Sequence, residues 1–141
     1  MMSDKLEQRL RAYCESSKVA GVLAAYLFGS RAEQRAHRQS DVDVGVLLDR
    51  RRYPTRRERF QAGVHLASEL IHALRSNELD VVVLNDAPPE LGRHIVTRGQ
   101  RVFCRDAAAD HDYVRDVQLR AADLAPFLRR MRRIKLESLG Q

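Results

Sequence analysis

The sequence predicts an α/β or α+β fold built on a small sheet, and three observations point to it. Four short segments of strand length, 22–28, 41–48, 79–84 and 101–104, are rich in apolar residues and set off by turn or loop residues. Between and around them lie segments with helical spacing of apolar residues, so the order is one of alternating helix and strand. Finally, 141 residues of which 44% are hydrophobic and 31% charged suit one globular unit with a core of its own, and not a disordered chain. The expected organisation is a single domain over 1–141, with a core at about 20–105 and a helical extension over about 106–137.

The elements follow in order. Residues 4–17 carry Leu6, Leu10, Tyr13 and Cys14 at helical spacing. Gly21 breaks that pattern, and VLAAYLF (22–28) is a buried strand ended by Gly29-Ser30. Residues 31–40 are polar and read as a loop or a helical turn followed by a loop. DVDVGVLL (41–48) alternates at its start, which places Asp41, Asp43 and Gly45 on one face and Val42, Val44 and Val46 on the other. Thr55 and Glu58 form a capping box that opens a helix running to about Leu74. Its expected apolar stripe is Phe60, Val64, Ala67, Ile71 and Leu74, flanked by His65 and His72 as surface residues. LDVVVL (79–84) is the third strand, stopped by Asn85-Asp86 and Pro88-Pro89. A helix from Pro89 to Thr97 ends at Gly99, RVFC (101–104) is the last strand, and a helix runs on from Ala108. Its expected inner face is Val114, Val117, Ala121, Leu124, Leu128 and Met131, with a kink or break at Pro126.

Composition narrows the function classes. The longest apolar run, 19–28, is about half of the roughly 18 residues a membrane span needs. The N-terminal segment lacks the apolar stretch of a secretory signal. Cys14 and Cys104 stand far apart without metal-ligand spacing, so two reduced thiols are expected, and with them a cytoplasmic location. The net charge is +6, and six of the ten residues 50–59 are Arg. A second basic cluster comprises Arg129, Arg130, Arg132, Arg133 and Lys135. Such an excess suits a polyanionic partner, such as a nucleotide, RNA or an acidic protein face. Each cluster by itself reads equally well as a solvated surface.

Asp41 and Asp43 at i and i+2 of a strand share a face, roughly 6.5–7 Å apart at Cα. Two carboxylates so placed repel one another and favour a divalent cation between them, and oxygen-only ligands suit Mg²⁺ or Mn²⁺. Eleven residues earlier, the first strand runs into Gly29-Ser30. There backbone N–H groups and a hydroxyl make an anion site, and the glycine lets a phosphate approach the backbone. Asp80 on the third strand can face the same side as the first two aspartates.

LFGSRA, SDVDVGVLL and LDVVVL together resemble the GS…DxD…D pattern of the DNA polymerase β-like nucleotidyltransferases. The chain is most similar to their minimal nucleotidyltransferase (MNT) branch, over about residues 20–105. The resemblance implies the polymerase β-like fold, a small mixed sheet flanked by helices. It also implies roles: Gly29 and Ser30 for the triphosphate, and Asp41, Asp43 and Asp80 for two Mg²⁺ ions. Asp80 would in addition serve as or near the general base for an attacking hydroxyl. Arg31 reads equally as a phosphate contact and as an exposed loop residue. The chain departs from the pattern at Glu33-Gln34, where the family usually has a second glycine, so that loop is expected to differ in shape.

Stand-alone proteins of this branch resemble the antitoxin of HEPN/MNT toxin–antitoxin pairs. The resemblance implies an adenylyltransferase that moves AMP from ATP to a tyrosine of a HEPN ribonuclease toxin, in a hetero-oligomer. Two alternatives stand beside it: an antitoxin that acts by binding alone, and a small-molecule nucleotidyltransferase modifying an antibiotic hydroxyl. Direct nucleic-acid binding by the basic clusters is a weaker reading.

Overall fold

The computed structural model describes residues 2–16, 21–29, 42–74 and 79–139. Within these, helix α1 (Met2–Glu15) leads to strand β1 (Val22–Phe28), and β1 is followed by β2 (Val42–Leu48) and helix α2 (Arg56–Leu74). Strand β3 (Leu79–Val83), a 3₁₀ turn (Leu84–Asp86), helix α3 (Pro89–Arg98), strand β4 (Gln100–Cys104) and helix α4 (Ala107–Leu139) follow. The sheet order is β3-β2-β1-β4; β2 pairs antiparallel with β1 and parallel with β3, and β4 pairs antiparallel with β1. This is the small mixed sheet that the sequence motifs imply.

Both faces of the sheet are covered, which is why β1 reads as a continuous apolar run. On one face Leu6, Leu10 and Cys14 of α1 and Leu66, Leu70 and Leu74 of α2 close over Ala25, Leu27, Val44, Val46 and Leu48. On the other face Ile95 of α3 and Leu84 pack against Ala24, Tyr26 and Leu47. Alternation along β1 supplies both cores, and a register shift between Val22 and Ala24 turns Val22 to the side of Ala25 and Leu27. The alternation in β2 is as read from the sequence: Val44 and Val46 enter the first core, and Gly45 faces Ile95 and Leu84. Burial pushes the Cys14 thiol up to about 12, and both cysteines are free.

Several helical expectations need correction. The buried face of α2 is Arg59, Gly63, Leu66, Leu70 and Leu74, while Phe60 is 67% and Val64 56% exposed. The helix is turned by one residue because Gly63 lets it close on Val83, where a Cβ would stand 2.9 Å from a Val83 methyl. Arg59 can lie inside because Asp86 meets it there. Thr55 does cap α2: its hydroxyl accepts the Glu58 N–H at 3.1 Å and donates to the Glu58 carboxylate at 3.2 Å. Gly99 ends α3 with extended backbone (φ −79°, ψ 174°), not in the left-handed turn common at helix ends. A glycine is needed there because a Cβ would collide with the Ile95 carbonyl.

Helix α4 neither breaks nor stops at Pro126. The carbonyl that loses its donor belongs to exposed Ala122, where water can satisfy it. Of the predicted inner face, Val117 and Ala121 are buried and Val114 and Leu128 half-buried, but Leu124 and Met131 are exposed. Length explains this. Thirty-three helical residues extend about 50 Å, whereas the seven-residue strands reach only about 23 Å. The C-terminal half must overhang. What seats the N-terminal half is a polar knot around buried Asp110, which accepts the Tyr26 hydroxyl at 2.6 Å and the half-exposed Arg101 Nη1 at 2.9 Å.

Candidate active site

The strand topology gathers the sequence motifs at one end of the sheet. β1 arrives there with Phe28-Gly29, while parallel β2 and β3 both start there. Phe28 lies opposite Asp43 across the β1/β2 pair, and Asp43 is in register with Asp80 across the β2/β3 pair. Register partners on neighbouring strands share a face, so Asp43 and Asp80 project from the same side, about 4.8 Å apart in the strand-to-strand direction. It is the side that α3 covers, since Gly45 and Val82, two residues further along each strand, face Ile95 and Leu84.

Gly29 has φ +90°, in the region that side-chain-bearing residues rarely adopt. Its missing Cβ matters as much as its backbone: any Cβ there would run into the Asp43 carboxylate. The carboxylate therefore lies directly on the Gly29 backbone, at the point where the first strand turns away. The glycine that the sequence reading assigns to phosphate also makes room for the half-buried Asp43. Asp80 is exposed. It opens onto a groove of about 460 Å³ that wraps the free edge of β3, between Phe60 and Val64 of α2 and Leu91 of α3.

Ser30, Arg31 and Asp41 lie outside the described residues, as does the Glu33-Gln34 departure. Among the described residues, no group of three His, Cys, Asp or Glu side chains converges to hold a metal ion. The two site carboxylates that are described still fit a hard divalent cation. Neighbouring like charges on one face of a sheet destabilise it unless a counter-ion lies between them, and an oxygen-only donor set suits Mg²⁺.

Sequence reading missed the supports around the site. Arg59 Nε and Nη2 donate to Asp86 at 2.8 and 2.9 Å, and Nη1 donates to the Tyr53 and Pro54 carbonyls. The Arg59 guanidinium holds the Asp86 carboxyl below the usual aspartate range, against the opposing effect of burial. Asn85 accepts the Leu48 N–H at 2.8 Å and donates to the Leu48 carbonyl at 2.9 Å, which closes the end of β2 as a further strand residue would. These contacts fix the exit of β3 six residues beyond Asp80. One signal for Arg59 is present in the sequence: Arg59, Gly63, Leu66, Leu70 and Leu74 form a second helical stripe beside the one chosen.

The polymerase beta nucleotidyltransferase family model matches residues 8–108, which include all four strands and every candidate site residue. The chain belongs to that family. Solved structures resemble this nucleotidyltransferase over nearly its whole length. A toxin–antitoxin structure with AMP-PNP superposes with a TM-score of 0.63 at 24% identity, covering 99% of this chain and 98% of that one. The complex of tri-AMPylated Shewanella oneidensis HEPN toxin with MNT antitoxin gives 0.61 at 20% identity and 99% coverage of both chains. An MntA–HepT toxin–antitoxin structure gives 0.57 at 22% identity, covering 99% and 97%. At these identities the likeness is one of fold. No curated protein matches the sequence significantly. No described helix of the nucleotidyltransferase is long and apolar enough to cross a membrane.

Proposed function

We propose that this nucleotidyltransferase is the antitoxin of a HEPN/MNT pair. In this reading it transfers AMP from ATP to a tyrosine hydroxyl of its HEPN toxin in the cytoplasm. The observation that carries the reading is the placement of Gly29, just past the end of β1, beside Asp43 of β2 and Asp80 of β3 at one end of the sheet. Asp43 and Asp80, with Asp41, would hold two Mg²⁺ ions. Bound there, Mg²⁺ neutralises the triphosphate and stabilises charge developing on the transferred phosphoryl group. The Gly29-Ser30 backbone binds the triphosphate and turns its α-phosphorus toward the carboxylates, and Arg31 adds a phosphate contact. The acceptor hydroxyl approaches from the β3 groove and gives its proton to Asp80. Its oxygen forms the new bond to the α-phosphorus as the bond to pyrophosphate breaks. Positioning and charge neutralisation supply the rate. Likeness of fold to antitoxins, including one whose partner toxin is tri-AMPylated, supports the acceptor class.

The test is intact-mass measurement of the HEPN partner after incubation with the protein, ATP and Mg²⁺, with Asp43→Asn as control. AMP-sized increments on the partner that need Asp43 and Mg²⁺ are expected. A silenced but unmodified partner would leave an antitoxin that acts by binding. Modification of a small hydroxylated compound instead would support the antibiotic-modifying alternative.

A further inference from the structure

The overhanging half of α4 carries five exposed large hydrophobic residues, Leu124, Phe127, Met131, Ile134 and Leu136. Leu124 is 39% exposed, Phe127 53%, Met131 48% and Ile134 50%. Their 3-4-3 spacing sets them along one line of the helix, the seam spacing with which one helix packs against another. The face that docks to the protein's own body passes from buried Val117 and Ala121 to half-buried Leu128, and the exposed seam runs beside it. A groove of about 690 Å³ lies beside it, lined by Leu128, Met131, Arg132, Ile134 and Lys135 and by Glu90 at the start of α3. An uncovered contiguous apolar stripe with a polar border is the usual mark of an interaction surface.

Charge selects the occupant. Over 124–139 the helix carries Arg129, Arg130, Arg132, Arg133 and Lys135 against Glu137 alone. Arg130 flanks one side of the seam, and Arg132 and Lys135 flank the other. A second copy of this helix would set five cations against five cations, whereas an acidic partner gains both steering and register from the same residues. We propose that the C-terminal half of α4 is a docking helix, laying Leu124, Phe127, Met131 and Ile134 into an apolar, acidic-rimmed groove on the partner protein that receives the nucleotidyl group. This rests on the reading that the acceptor is a protein. It adds that the acceptor is held by a surface other than the strand ends that carry Asp43 and Asp80.

The experiment uses the full chain and the HEPN partner of its own pair, with affinity measured calorimetrically at two salt concentrations. Wild type, Phe127→Ser/Met131→Ser, Arg130→Glu/Arg132→Glu and Asp43→Asn are compared, each checked for fold by circular dichroism. The apolar double variant should bind at least about tenfold more weakly, and the charge-reversal variant should weaken binding and lose its salt dependence. Asp43→Asn should bind as wild type does. Wild-type affinity in both α4 variants would overturn the proposal, and so would a partner that does not bind the wild type. A wild-type dimer that Phe127→Ser/Met131→Ser dissociates would assign the seam to a second copy. Loss of RNA or anionic-vesicle binding in the variants, with partner binding unchanged, would assign it to a polyanion. Failure of AMP transfer with α4-dependent binding intact counts against the catalytic reading alone. AMP transfer with α4-independent binding counts against the docking helix alone.

Discussion

Gly29 concentrates two demands in one residue, a positive φ and the space taken by the Asp43 carboxylate. Alanine there meets both penalties. Backbone strain of about 1–2 kcal/mol should lower the melting temperature by about 5 °C. A carboxylate pushed by the new methyl group should cost nucleotidyl transfer at least about 100-fold. Thermal melts and transfer assays on Gly29→Ala separate the effects, and near-normal transfer would show that Asp43 need not sit where it does. Tyr113 makes the opposite case. Its hydroxyl is buried against Gly92 of α3 with no hydrogen-bond partner among the described residues, and burial pushes it up to about 12. Tyr113→Phe removes an unsatisfied polar group, so it should be neutral or stabilising by up to about 1 kcal/mol. A marked loss of stability in urea unfolding would mean that the hydroxyl is satisfied in solution.

At the scale of elements, the Arg59–Asp86 pair joins the first turn of α2 to the exit of β3, and both groups are largely out of water. Its carboxylate is held below its ordinary value, so its contribution is complete above the unfolded aspartate pKa of about 3.9 and is lost as pH falls through the lower folded value. Asp86→Asn should cost about 2 kcal/mol at pH 7, less than a fully buried pair because part of Asp86 still meets solvent. The gap from wild type should narrow only below about pH 4. Urea unfolding at pH 7 and at pH 2.5 checks this, and an unchanged gap would remove the pair from the account. The same pair shows where sequence reading stops. The strands, the alternation of β2 and the Thr55 cap were legible because period and capping chemistry are local. The choice between two stripes of α2 was not, because an arginine turns inward only when an aspartate twenty-seven residues away is placed to meet it. The site was half legible in the same sense: the motifs name Gly29, Asp43 and Asp80, but their convergence is a property of strand order and register. Periodicity along α4 is likewise silent on where the sheet beneath it ends.

For the whole molecule, a small sheet with a helix about twice as long as its strands divides the chain into a body that folds and a projection that the body does not require. Every described side chain from Met131 to Glu137 is exposed, and the contacts that seat α4 lie earlier, at Asp110, Tyr113, Val117 and Ala121. A chain ending at Arg130 should therefore melt within about 3 °C of the full chain, since surface removals away from such contacts are worth only about 0.5 kcal/mol. It should also keep its affinity for ATP, because Gly29, Asp43 and Asp80 lie at one end of the sheet and the described side chains removed with the last turns are exposed. Having lost Met131 and Ile134, it should bind the HEPN partner more weakly and modify it more slowly at low partner concentration, with the difference closing as the partner approaches saturation. Such a pattern places the projection in recognition and the sheet end in chemistry. A fall of 10 °C or more in the melt would instead make the last turns of α4 part of the body. Their exposed leucine, methionine and isoleucine would then have to be covered within the folded chain itself.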